Sequence, residues 1–280
     1  MFIYMQRLVI AALLLACGDV DAGNRLTPGR QALIGIDHMP TIVADLSQAS
    51  ASYRRMGFSL KSGRLHDNGL RNNHVKFKDG SGIELISVPA VPNDEMTRSY
   101  AKFLREGEGP THLAFHARAP NALLAALEAA SIPFEDDNGV ITLGDPRLDF
   151  VFFVRDNRSR TDRPEHFAHS NGAIAMTEVW LALDTRTLNR ATKLLLALGA
   201  IERTEKVMAP MRVSAQVFYL QNGRVVVVPE KHQIISGREI IGAKFHVEQR
   251  QSKQDKANPA VLTVEPSIAH GLWLRFAGKP

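Results

Sequence analysis

Cysteine is almost absent: Cys17 is the single one in 280 residues. The folded body therefore carries no disulfide, no thiolate metal site and no cysteine nucleophile. Long apolar runs are missing too, since the stretch from Leu8 to Ala16 falls short of the roughly 20 residues a membrane-spanning helix needs. No glycine-rich phosphate loop, zinc-protease helix motif or nucleophile elbow occurs. Low-complexity tracts and heptads are lacking as well, which excludes fibrous and disordered classes. Basic residues outnumber acidic ones, 34 to 29, but are scattered rather than gathered into a stripe with aromatics. That pattern excludes nucleic acid as the first expectation and points to solubility and an anionic small ligand.

What is present begins with a leader. Arg7 followed by the short apolar run has the layout of a secretory signal, and the sequence offers two ways of cutting it. Val20-Asp21-Ala22 suits cleavage before Gly23, which makes residues 1–22 a signal peptide. Leu14-Leu15-Ala16-Cys17 resembles a lipobox, which makes Cys17 a lipid anchor. Either way the expected location is extracytoplasmic: periplasmic, envelope-anchored or secreted, with no transmembrane span.

The rest of the chain repeats itself. Ile36 to Val43 reads as a strand, after which Asp45 caps a helix with Leu46, Ala49, Tyr53 and Met56 on its buried face, stopped by Gly57. Glu178 to Leu183 gives the strand again, and Asp184 or Thr185 caps a helix with Leu188, Ala191, Leu195 and Leu198, stopped by Gly199. Between them, Thr111 to His116 is a strand and Pro120 opens a third helix. Short β-like runs follow each helix, with turns at Asp79-Gly80 and Asn222-Gly223. The expected fold is α+β, made of repeated βαβββ units in two paired halves, with curled mixed sheets around a cavity. Residues 32–155 form the first pair, 156–172 a linker and 173–277 a second, degenerate half, in which Ile240 to Glu248 and Gly271 to Phe276 flank a polar stretch, Gln249 to Ala260, without a helical stripe. Within the linker, His166 and His169 are spaced like a helical metal pair, but Pro164 and Asn171-Gly172 favour a solvated loop.

The order of these residues resembles the vicinal oxygen chelate superfamily, and its glyoxalase-like domains in particular. The resemblance is carried by Ile36-Asp37-His38, Asp45-Leu46, His66, Asn73, the strand Asp79-Gly80-Ser81-Gly82-Ile83-Glu84-Leu85-Ile86, and His169-Ser170-Asn171-Gly172-Ala173. Metal-using members take ligands from the first and last strands of paired units, which implies a divalent-metal site at His38, Glu84 and His112. Fe(II), Mn, Ni, Zn and Co all suit such a set. Strand alternation puts His116 on the same wall as His112, as a ligand contact or an orienting residue. Asp149 is the substitute in a closing strand that lacks the family's fourth ligand. Glu178 and Arg275 stand where the second half would need metal ligands, so that half is read as structural. The resemblance implies a metal-dependent lyase, isomerase or dioxygenase acting on a small oxygen-chelating substrate, or a metal-free binding or sequestering protein. Read singly, each histidine is also an ordinary core residue, and Glu84 an ion-pair partner for Arg54, Arg55 or Arg71. An even number of units favours a monomer over a dimer.

Overall fold

The computed structural model describes residues 32–155, 158–248 and 262–278. The leader at residues 1–22, Cys17 and the polar stretch 249–260 lie outside them. The first strand is not continuous: β1 (Ile34–Ile36) and β2 (His38–Ile42) are separated at Asp37. Asp45 then accepts hydrogen bonds from the amides of Ser47 and Gln48 at 2.7 and 3.0 Å, opening α1 (Leu46–Arg55). Gly57 ends that helix with φ at +88°, a conformation that penalises any side chain. Three antiparallel strands follow, β3 (Lys61–Leu65), β4 (Arg71–Lys76) and β5 (Gly82–Ser87).

A helix the sequence reading did not anticipate comes next, α2 (Glu95–Glu106). The side chain of Asp94 accepts from the amide of Thr97 at 2.7 Å and the hydroxyl of Thr97 accepts from the amide of Asp94 at 3.1 Å, a reciprocal cap. Tyr100, Phe103 and Leu104 on one face of α2 pack over Ile42, Leu70 and Ile86. Next come β6 (Gly109–Pro110), β7 (Leu113–Ala117), α3 (Pro120–Ala129), β8 (Phe134–Asp137), β9 (Val140–Leu143) and β10 (Val151–Val154).

These strands form two five-stranded sheets, β3-β4-β5-β2-β6 and β1-β7-β10-β9-β8. The chain changes sheets twice. β1 lies antiparallel to β7 in one sheet, while β2 lies parallel to β5 in the other. Conversely, β6 pairs with β2 and β7 with β10. The runs read as unbroken strands, Ile36 to Val43 and Thr111 to His116, are thus each interrupted, because apolar periodicity reports burial and not which neighbour supplies the hydrogen bonds. His38 stands just past the first break, and His112 lies one residue before β7 rather than within it.

The segment from 158 to 172 lies against the first half. Lys61 and Lys76 both donate to Asp162, and His169 is buried at 4% exposure. The His169 Nδ1 accepts from the amide of Ser59 and its Nε2 lies 2.9 Å from the carbonyl of Lys76. His169 is therefore a hydrogen-bonded core residue, which corrects the solvated-loop expectation for it; the ring's polar groups are satisfied at opposite ends and burial holds its pKa down. The second half contains β11 (Ala173–Leu183), α4 (Thr185–Ala197, capped by Asp184), β12 (Ile201–Met208), β13 (Arg212–Tyr219), β14 (Arg224–Pro229), β15 (Ile240–Val247), β16 (Leu262–Val264) and β17 (Trp273–Ala277). They make one seven-stranded mixed sheet, β12-β13-β14-β11-β15-β17-β16. The fold is α+β with mixed sheets, as expected.

One apolar core serves both halves. Phe58 and Phe77 of the first meet Phe245 and Phe276 of the second with ring centroids 5.3 to 5.6 Å apart. Each such pair adds about 0.5–1.5 kcal/mol beyond the apolar area it buries. Among the described residues no helix is long and apolar enough to cross a membrane.

Candidate metal centre

The break at Asp37 fixes the orientation of His38. Asp37 is fully buried, its amide donates to the carbonyl of Ala114, and its Oδ1 lies 2.5 Å from Nδ1 of His38. The other ring nitrogen, Nε2, lies 3.4 Å from Oε2 of Glu84 on β5. Asn72, on the neighbouring strand, donates to Oε1 of the same carboxylate. Burial works against a charged imidazole, but the hydrogen bonds to Asp37 and Glu84 outweigh it and raise the pKa of His38 to about 9. Burial likewise opposes the ionised Glu84, yet His38, with His74 and Asn72, lowers it to about 2. His74 faces Glu84 across the β4–β5 pair, and burial pushes it down to about 4, leaving it neutral at pH 7.

His112 is held differently. Its Nδ1 is buried without a hydrogen-bond partner among the described residues, and burial lowers its pKa to about 4. The ring of Phe152 meets both His112 and His38 edge-on, with centroids 5.9 and 5.8 Å away. The strand registers explain its presence there. Glu84 pairs with Pro40, two residues after His38, and Phe152 pairs with Ala114, two residues after His112. Phe152 thus occupies the counterpart of the Glu84 position, where a fourth donor would have to stand. A cavity of about 540 Å³ opens beside it, between α2 and the β9–β10 pair, with Tyr100, Met96, Glu95, His112 and Asp149 in its wall. The Tyr100 hydroxyl is pushed up to about 12, first by burial and then by the charge of Glu84.

His38 and Glu84 are brought into contact, His112 lies nearby across Phe152, and Asp149 faces the same cavity. His116 does not share that wall, because the strand break before β7 undoes the alternation from His112. It lines a separate cleft with Asp79, Arg118 and Asn222, and its Nδ1 is 4.0 Å from Oδ2 of Asp37. In the second half, Glu178 is buried in ion pairs with Arg224 at 2.7 Å and Lys244 at 3.0 Å, and Arg275 lies across from Lys244 in register. Asp37, Asn72, His74, Tyr100 and Phe152 all shape the site but were not singled out from sequence. Of these, Tyr100 was within reach, through the Asp94–Thr97 cap and the spacing that follows it.

The glyoxalase-like domain family matches residues 36–199. The chain belongs to that family, within the vicinal oxygen chelate superfamily. No curated protein matches this glyoxalase-like chain in sequence. Among solved structures it is similar to a hypothetical protein from Staphylococcus aureus, with 13% identity and a TM-score of 0.62, covering 88% of this chain and 100% of that one. It is also similar to a mutant of 4-hydroxymandelate synthase from Streptomyces coelicolor, with 12% identity, a TM-score of 0.58, and 88% and 92% covered. A third is a single-residue variant of homoprotocatechuate 2,3-dioxygenase from B. fuscum, with 13% identity, a TM-score of 0.55, and 90% and 73% covered. At these identities the likeness is one of fold.

Whether the glyoxalase-like site suits a metal ion turns on its donors. Two imidazole nitrogens and a carboxylate are a common set for a divalent cation. The adjoining His38 and Glu84 side chains and the partnerless nitrogen of His112 provide them. Among the described residues, no three histidine, cysteine or carboxylate side chains close on one point. The donor chemistry therefore fits a cation at His38 and Glu84, while His112 stands across the Phe152 ring from His38.

Proposed function

We propose that this glyoxalase-like chain is a metal-dependent lyase, isomerase or dioxygenase of the vicinal oxygen chelate type, acting on a small oxygen-bearing substrate in the cavity under α2. His38, Glu84 and His112 would hold the cation. The observation that carries the reading is the His38–Glu84 contact with Asp37 behind it. A buried carboxylate on Nδ1 fixes the imidazole and turns Nε2 toward the second donor, as outer partners of ligating histidines do. When bound, such a cation supplies Lewis-acid stabilisation of charge developing on substrate oxygen. Glu84 is ionised and His112 neutral at pH 7, so both have lone pairs to offer, whereas His38, with its pKa at about 9, would release its Nε2 proton as the cation takes its place. Tyr100 keeps its proton to about pH 12 and can donate it in a hydrogen bond. Phe152 gives the site an apolar wall against both histidines, and Met96 lies at the mouth of the cavity. Extracytoplasmic placement belongs to the same proposal and disfavours glutathione, chiefly a cytosolic thiol, as co-substrate.

Metal analysis of the purified chain tests this reading. About one mole of divalent metal per chain is expected in the wild type, with large losses in His38→Ala, Glu84→Ala and His112→Ala. Content below about a tenth of a mole, unchanged by those substitutions and not restored by added ions, would sink it. The position of Phe152 favours a second reading, a metal-free small-molecule binding protein, and that outcome would support it.

A further inference from the structure

The charge of the cavity departs from that of the chain. The protein is net basic at +5, and composition alone pointed to an anionic ligand. Among the described residues lining the cavity there is no lysine or arginine, whereas Glu95 and Asp149 both face it. Neither carboxylate forms an ion pair among the described residues, and both side chains are exposed. Basic residues gather instead at the separate cleft beside His116, where Arg118, Arg155 and Arg158 stand.

The remaining walls are apolar or aromatic. Tyr100 and Phe152 offer ring faces and edges, while Met96 and Val140, 53% and 43% exposed, line the opening. Large apolar side chains left uncovered at the mouth of a cavity are surfaces for a ligand to bury. Carboxylates beside aromatic rings form the usual setting for an organic cation, since the rings attract positive charge through their faces and the carboxylates attract it directly. The cavity establishes that something can be held there, and the carboxylates only decide its charge.

We propose that the substrate or ligand of this cavity carries an ammonium group on an aromatic or branched apolar body. Any oxygens it presents would face the His38–Glu84–His112 end, while the ammonium sits between Glu95 and Asp149. The assignment of the oxygens rests on the metal-site reading given above; the assignment of the cation rests on the cavity's own lining, Glu95 and Asp149 beside Tyr100 and Phe152 with no lysine or arginine.

Two probes of the same shape and opposite charge test it: phenethylamine and hydrocinnamate, titrated into the full-length protein by calorimetry or NMR at low salt. Phenethylamine should bind about tenfold tighter or more, the product of two exposed carboxylates contributing about threefold to fivefold each. The preference should shrink at high salt. Asp149→Asn and Glu95→Gln should each weaken phenethylamine by about threefold to fivefold and leave hydrocinnamate unweakened. Equal or tighter binding of hydrocinnamate, no binding of either probe, or an unchanged preference in the double variant overturns the proposal. Glu95→Gln touches neither His38, Glu84, His112 nor Asp149, so its metal content should stay at the wild-type level. A wild-type chain that holds metal but shows no preference for phenethylamine refutes this inference alone, and a metal-free wild-type chain with the preference intact refutes only the metal site.

Discussion

Raising the pH of the chelator-treated protein from about 6.5 to about 9.5 removes the proton that His38 shares with Asp37 and Glu84. In the folded chain the pKa of His38 is about 9, against 6.5 for a free imidazole. The folded state therefore binds the proton more tightly than the unfolded state. The stability this contributes is complete below about pH 6.5 and is lost as the pH rises through about 9. At about 1.36 kcal/mol per pH unit, the difference sets a ceiling of about 3 kcal/mol. The low pKa of Glu84 describes the same contact from the other partner, so the two effects are not added. Urea unfolding followed at intervals across this range measures it, with His38→Gln as the reference that cannot titrate. With an m-value of about 1–3 kcal/mol per molar, the wild-type midpoint should fall by about 1 M or more relative to the variant. Parallel midpoints across the whole range would refute the argument that Asp37 and Glu84 hold an imidazolium between them.

Two further outcomes follow from neighbouring features. Phe152→Glu places a carboxylate at the position matching Glu84; it should cost about 1–3 kcal/mol in the metal-free protein and tighten divalent-metal binding by about tenfold or more, read by competition with a chelating dye, and an affinity no better than wild type would count against the register correspondence. Arg238, 6% exposed, lies over the ring of Phe103 at 3.4 Å and donates to the carbonyls of Phe103 and Gly107 at the end of α2. Arg238→Ala should lower stability by about 2–3 kcal/mol and speed hydrogen exchange in α2 well before it does so in β11, whereas uniform acceleration would show that the contact does not act on the helix.

The helices that follow the expected pattern were legible because their signals are local. Asp45 and Asp184 start α1 and α4, and Gly57 and Gly199 stop them with positive φ. The pairing of His38 with Glu84 was foreseen only through the family resemblance. The two strand breaks were not legible, since buried apolar residues stand on both sides of Asp37, Ile34 and Ile36 before it and Met39 and Ile42 after it. Because His112 falls in such a break, alternation misplaced His116. The missing fourth donor could be seen as an absent glutamate, but that an aromatic ring fills its place against both histidines follows from register, which sequence does not encode locally. Net charge sums over the whole surface and does not report a cavity, whose lining here carries Glu95 and Asp149 and no lysine or arginine.

The double crossing between the two five-stranded sheets bears on how anything gets in or out. At one crossing the amide of Asp37 is bonded to Ala114, and at the other the amide of Thr111 is bonded to Pro40 at 2.8 Å. The sheets are stitched together on both sides of the His38–Glu84 contact, so the site cannot admit a molecule by parting them without breaking backbone hydrogen bonds. The route left open is the mouth of the cavity, between Met96 on α2 and Val140 on β9, and α2 is clasped at its far end by Arg238. One wall of that mouth is therefore held in place by a guanidinium from the half of the chain that has no candidate ligands of its own.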